Sequence, residues 1–151
     1  MTKQYDEIVR REIVTARVFD APRDIVFQAW TDPEQLKLWW GPKGFTNTFH
    51  HCDIREGGSW SYIMHGPDGR DYPNEMRFLE IAAPERIVID HISFPQFCLT
   101  VLFHEFGDRT KITFRQLFET SEIYDQINKL ALRGNEENFD RLANILAGRP
   151  L

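Results

Sequence analysis

The sequence predicts an α+β fold: a curved antiparallel sheet of about six to seven strands around a long carboxy-terminal helix, with two short helices after the first strand. Three observations predict it. Apolar and polar residues alternate in short runs through the middle of the chain, the period of a half-buried strand. Turn residues at Gly57-Gly58, Gly66-Pro67-Asp68-Gly69, Pro84, Pro95 and Gly107-Asp108 separate those runs so briefly that neighbours must run antiparallel. From Ser121 to Leu146 the period becomes helical, with Ile123, Ile127, Leu130, Phe139, Leu142 and Leu146 on one stripe. That stripe needs a partner surface, and the sheet supplies it.

Residues 8–19 mix β-branched side chains with charges and read as the first strand. Asp20-Ala21-Pro22-Arg23-Asp24 opens a helix with Pro in its first turn, where a missing N–H costs nothing. Ile25, Val26, Ala29 and Trp30 form its apolar side. Thr31-Asp32-Pro33-Glu34 repeats the start signal, Leu36, Trp39 and Trp40 make the buried face of the second short helix, and Gly41-Pro42 stops it. Residues 46–54 and 59–65 read as strands around Gly57-Gly58. Residues 72–82, 86–92, 98–106 and 110–117 read as four more. Gly148-Arg149-Pro150 ends the last helix.

Composition narrows the function classes. At 151 residues the chain is read as one domain over 1–151, large enough for a core with a hollow in it. A net charge of -5 opposes binding to nucleic acid or to an anionic membrane surface. No apolar run reaches membrane-span length, and the polar start Met1-Thr2-Lys3-Gln4-Tyr5-Asp6-Glu7 has no signal-peptide core. Cys52 and Cys98 have no partner pattern and suit a reducing cytoplasm, so a disulfide is not expected.

Three of the four tryptophans lie between Leu36 and Gly69, each close to a Gly or Pro. A helix end and two strand ends converging on one apolar space would write this pattern, as would an ordinary core corner. Alternation in 59–65 puts Trp60, Tyr62 and Met64 on one face and Ser59, Ser61 and His65 on the other. The first set is expected to line a closed apolar cavity beneath the last helix, with Trp40 and Phe45 near its mouth. His91 and Phe103, on the strands 86–92 and 98–106, complete the candidate ligand contacts. An inward phenol at Tyr62 needs a partner.

Chemistry beyond binding has few candidates. His50 and His51 are adjacent on a strand and point apart, while His50 and Cys52 share a face, half of a metal site. No metal or cofactor is expected. His91 and Ser93 fall on one strand face and could serve as base and hydroxyl. Glu75 would become a general acid or base if it pointed inward. Glu75 and His91 are therefore weak catalytic candidates. The chain has no Gly-x-Ser-x-Gly turn and no phosphate-binding loop.

The chain resembles the single-domain bacterial homologues of the activator of Hsp90 ATPase, within the START-like superfamily. The residues that carry the likeness are Ala21-Pro22 with Val26 and Trp30, Thr31-Asp32-Pro33, Trp39-Trp40-Gly41-Pro42 and Asp53-Ile54-Arg55-Glu56-Gly57-Gly58-Ser59-Trp60. Met64-His65-Gly66-Pro67-Asp68-Gly69, Glu80-Ile81 and Pro84-Glu85-Arg86-Ile87 continue it. The resemblance implies the helix-grip fold with a cavity between sheet and helix. It implies a binder of a hydrophobic, aromatic or lipid-like small molecule, with a cyclase- or isomerase-type enzyme as the alternative. Hsp90 is the weaker partner reading, because the chaperone activator proper has an additional amino-terminal domain for which this chain has no room. Family members often carry Gly-Trp in the last helix, where this chain has Gly134-Asn135. The family implies no common catalytic set; the oligomer is expected to be a monomer or homodimer.

Overall fold

Seven alternating segments pair into one sheet in the computed structural model, which describes residues 11–148. The strands are β1 (Glu12–Phe19), β2 (Thr46–Cys52), β3 (Ser59–His65), β4 (Asp71–Ala82), β5 (Arg86–His91), β6 (Phe97–Phe106) and β7 (Arg109–Phe118). The helices are α1 (Arg23–Thr31), α2 (Pro33–Trp39) and α3 (Ser121–Leu146). Residues 8–10 of the expected first strand and the Arg149-Pro150 stop lie outside the described residues. The order across the sheet is β1-β7-β6-β5-β4-β3-β2, antiparallel throughout. β2 to β7 are a meander of hairpins. β1 lies beside β7, so the α1–α2 segment must cross from one edge of the sheet to the other. On the way α1 packs on β6 and β7, and α2 on β2.

Local sequence explains the helix starts. Asp32 accepts a hydrogen bond from the Glu34 N–H, and Thr120 accepts one from the Ile123 N–H, each satisfying a donor that the first turn leaves free. Pro22 sits at the N-cap of α1, one step before the first turn where the sequence pattern put it. Pro73 lies where β4 pairs with β3 alone, because pairing with β5 begins at Met76, so its missing N–H costs no ladder bond. Gly58 is required by close approach: a Cβ there would lie 2.0 Å from the Asp53 carbonyl oxygen.

The core is aromatic. Trp30 of α1 is its hub, with the rings of Trp39, Trp40, Phe114 and Phe103 edge-on around it at 4.7, 5.5, 5.4 and 6.1 Å. The second half of α3 closes on this core. Phe139 meets Phe114 at 4.5 Å and Phe19 at 5.4 Å, and Arg17 of β1 pairs with Asp140 at 2.8 Å. The fully buried residues of α3 are Asn138, Phe139 and Leu142, all in that half. The first half therefore stands over the sheet without sinking into it, and the space beneath it stays open.

Candidate functional site

That space is a chamber of about 250 Å³ between the concave face of the sheet and α3. Helical spacing places Ile127, Leu130, Ala131, Gly134, Asn135 and Asn138 on its roof. Its floor includes Tyr62, Met76, His91, Leu99 and Gln116, and Trp40-Gly41-Pro42 closes one side. The chamber is not closed, contrary to the sequence expectation. It shares Pro42, Met64, Asn74, Pro95, Leu130 and Gly134 with an outer hollow of about 600 Å³ that reaches the surface between Tyr72, Phe94 and Phe45. A still larger groove, about 750 Å³, runs between Lys37–Leu38, Lys43–Asn47 and the second half of α3, outside the sheet–helix interior.

The sequence candidates separate on this geometry. Trp40, Tyr62, Met64 and His91 line the chamber, and Phe45 lines the outer hollow. Trp60 faces inward as its parity requires, yet it lies behind Tyr62, stacked on that ring at 4.7 Å and on Phe78 at 5.8 Å. Phe103 is buried beneath α1, against Phe27 at 5.0 Å, away from the chamber lining. Glu75 is exposed on the outer face and accepts a hydrogen bond from the Ser61 hydroxyl at 2.7 Å. Ser93 lies past the end of β5, where its hydroxyl accepts from the Glu75 N–H, so His91 and Ser93 do not form a pair. A bulge between Phe49 and His51 breaks the strand parity of β2. Both His50 and His51 are exposed, whereas Cys52 packs on the core, which corrects the shared face expected for His50 and Cys52. Burial, and then the Asp53 charge, push the Cys52 thiol up to about 12.

On the outer face, Thr48, His65 and Asp71 form a cross-strand chain with both bonds 2.7 Å long. All three carry substantial exposure, where water competes for each bond, so the chain braces the edge strand β2.

The chamber's polar groups are neutral. Tyr62 accepts a hydrogen bond from Trp40 Nε1 at 2.9 Å, and its burial pushes the phenol far above its ordinary range. Asn135 Nδ2 donates to Gln116 Oε1 at 3.0 Å, and Asn138 Nδ2 to the Trp39 carbonyl at 2.9 Å. His91 stacks on Phe97 at 4.5 Å and donates from Nδ1 to the Pro95 carbonyl at 2.7 Å. Its Nε2 lies 2.7 Å from Asn74 Oδ1, while Asn74 Nδ2 donates to the Tyr72 carbonyl. Two oxygens on one ring suit an imidazolium, but burial pulls the ring towards neutrality and lowers its pKa. The Pro95 and Ser93 carbonyls and the Asp90 charge oppose this more weakly. Burial decides. Reversing the Asn74 amide then offers an N–H to Nε2, at the expense of the Tyr72 bond.

The wall segment at Leu38–Lys43 is held from α3. Arg141 donates from Nη1 to the carbonyls of Trp40, Gly41 and Pro42, each at 3.1 Å, and from Nη2 to that of Leu38 at 2.9 Å. Of these, the Leu38 carbonyl belongs to the last turn of α2, while those of Trp40, Gly41 and Pro42 follow it; the Trp40 carbonyl also accepts from Asn47 Nδ2 at 2.8 Å and that of Pro42 from the Phe45 N–H at 3.2 Å. Gly41 has φ +104°, and a Cβ on it would lie 2.9 Å from Met64 Cε. Sequence reasoning missed Arg141, Gln116 and Asn138. Their only signal was a polar residue on the expected inward stripe of an element, readable once the partner elements are known.

No curated protein sequence matches the chain. Solved structures do. A protein from Arthrobacter aurescens is 25% identical with a TM-score of 0.86, over 94% of this chain and 89% of its own. The AHSA1 protein of Silicibacter pomeroyi is 18% identical with a TM-score of 0.73, over 90% and 97%. CalU16 from Micromonospora echinospora is 24% identical with a TM-score of 0.69, over 93% and 76%. These likenesses agree with the seven-stranded helix-grip architecture. The model of the "activator of Hsp90 ATPase homolog 1-like protein" family matches residues 20–147, which spans α1, α2, the whole meander and α3. The chain belongs to the activator of Hsp90 ATPase homolog 1-like family.

Proposed function

We propose that the protein binds a small hydrophobic molecule in the chamber between the sheet and α3. One observation carries this reading. The first half of a long helix is held over the sheet by its packed second half, and the hollow beneath it is lined by apolar side chains with a few neutral polar ones. The lining favours binding over acid–base catalysis. Glu75 faces away, and no carboxylate is among the described hydrogen-bond partners of His91.

A ligand that buries about 300 Å² of apolar area gains about 7.5 kcal/mol gross at about 25 cal/mol per Å². That gross value alone corresponds to about 3 μM, and lost motion offsets part of it, so affinities of about 10–500 μM are expected. The neutral fluorescent probe N-phenyl-1-naphthylamine tests the reading. Saturable micromolar binding is expected, and the filled-chamber variant Ala131→Trp should lose it while keeping its circular dichroism. No saturable binding, or equal binding by Ala131→Trp, would overturn the proposal.

A further inference from the structure

The chamber wall carries more information than its apolarity. Its titratable side chains are Tyr62 and His91; the other polar ones are amides and the Trp40 indole N–H. The charged residues nearby, Asp71, Arg133 and Glu137, stand at the outer hollow. They are engaged there: Asp71 with His65 at 2.7 Å, Arg133 with Glu137 at 3.4 Å. A charged ligand group in the chamber would lose water and meet no countercharge.

Tyr62 adds a direction. Its side chain is 2% exposed. Trp40 Nε1 already donates to its oxygen, and no described acceptor takes its own hydrogen. A buried donor without a partner costs free energy, and the chamber is the open space beside it. Gln116, 6% exposed, likewise accepts from Asn135 through Oε1 while its own N–H groups donate to no described residue.

We infer that the chamber selects an uncharged ligand bearing a hydrogen-bond-accepting oxygen, such as a ketone, ester or amide carbonyl, which takes the Tyr62 hydroxyl hydrogen, with the apolar remainder leaving through the outer hollow. This rests on the proposed binding function and narrows it. A fatty acid or aromatic carboxylate fails the charge criterion. A plain hydrocarbon fills the space and leaves Tyr62 without a partner.

Three probes of similar shape test it by equilibrium dialysis at pH 7.5: 2-acetonaphthone, 2-ethylnaphthalene and 2-naphthoate. The ketone should bind about 3–10-fold more tightly than the hydrocarbon, the worth of one net hydrogen bond. The carboxylate should bind at least 10-fold more weakly than the ketone. Tyr62→Phe should bring the ratio of ketone to hydrocarbon affinity to about one, with circular dichroism showing that the variant stays folded; a ratio unchanged from the parent would overturn the inference. Should Tyr62→Phe not fold, the ratio of ketone to hydrocarbon in the unaltered protein decides alone. Hydrocarbon and ketone binding equally, or the carboxylate binding best, would overturn the inference while sparing the binding function. Failure of all three probes would overturn both.

Discussion

Replacing Arg141 by Met keeps the aliphatic stem and removes the guanidinium that holds four carbonyls of the segment Leu38–Pro42. Nη1 has two hydrogens for three oxygens, so the four contacts amount to about three bonds at most. Charge-assisted bonds to carbonyls are worth about 1.5–3 kcal/mol each when judged singly. The segment borders the surface groove, so water replaces part of what is lost. A cost of about 2–3 kcal/mol is therefore expected. For a domain of this size each kcal/mol moves Tm by about 2–4 °C, so Arg141→Met should melt about 4–12 °C lower. Thermal unfolding followed by circular dichroism, with urea midpoints in parallel, measures this. Arg141→Lys should recover less than half, since a single ammonium cannot span Leu38 and Pro42 together. Because Trp40, Gly41 and Pro42 wall the chamber, Arg141→Met should also weaken N-phenyl-1-naphthylamine binding. A Tm within 1 °C of the parent would refute the reasoning.

Gly134→Ala should stabilise the protein by about 0.5–1 kcal/mol, because a helix interior favours Ala and the new methyl meets only Pro42 Cγ, at 3.5 Å. Since Gly134 borders both hollows, probe binding should weaken as Tm rises; calorimetry and dialysis read the two separately. Trp39→Phe should cost about 1–3 kcal/mol more than Trp60→Phe. Trp39 Nε1 donates to the Ala29 carbonyl, which would be left buried and unpaired, whereas Trp60 Nε1 has no partner among the described residues to abandon. Urea titrations of both variants decide this. His91 predicts a pH dependence. Its folded pKa lies below the ordinary 6.5, so the unfolded chain takes up the proton first. The contribution is complete above about pH 6.5 and is lost as pH falls through the folded value. Urea midpoints should drop more between pH 7.5 and 5 for the parent than for His91→Gln; an equal or smaller drop would refute the lowered pKa.

The strands, both short helices and the long helix were legible from period and turn residues because those signals are local. Each runs through neighbours in the chain: alternation in Trp60, Tyr62 and Met64, the cap at Asp32, the apolar stripe of α3. The inward face of β3 followed from parity alone. Parity failed at His50 and His51, where a bulge depends on what β3 presents across the ladder and leaves no mark in β2 itself. The site was half legible for the same reason. Tyr62, Met64, Trp40 and His91 could be placed near a hollow, but which ring fronts it and which stands behind depends on how side chains from separate strands stack. Trp60 and Tyr62 carry the same sequence signal, and only packing sets one behind the other. Arg141 finds four carbonyls about 100 residues away. The chamber's neutrality is likewise a tertiary property: it results from which side chains of seven distant segments converge, and from the charged ones being held at the rim, where water still reaches them.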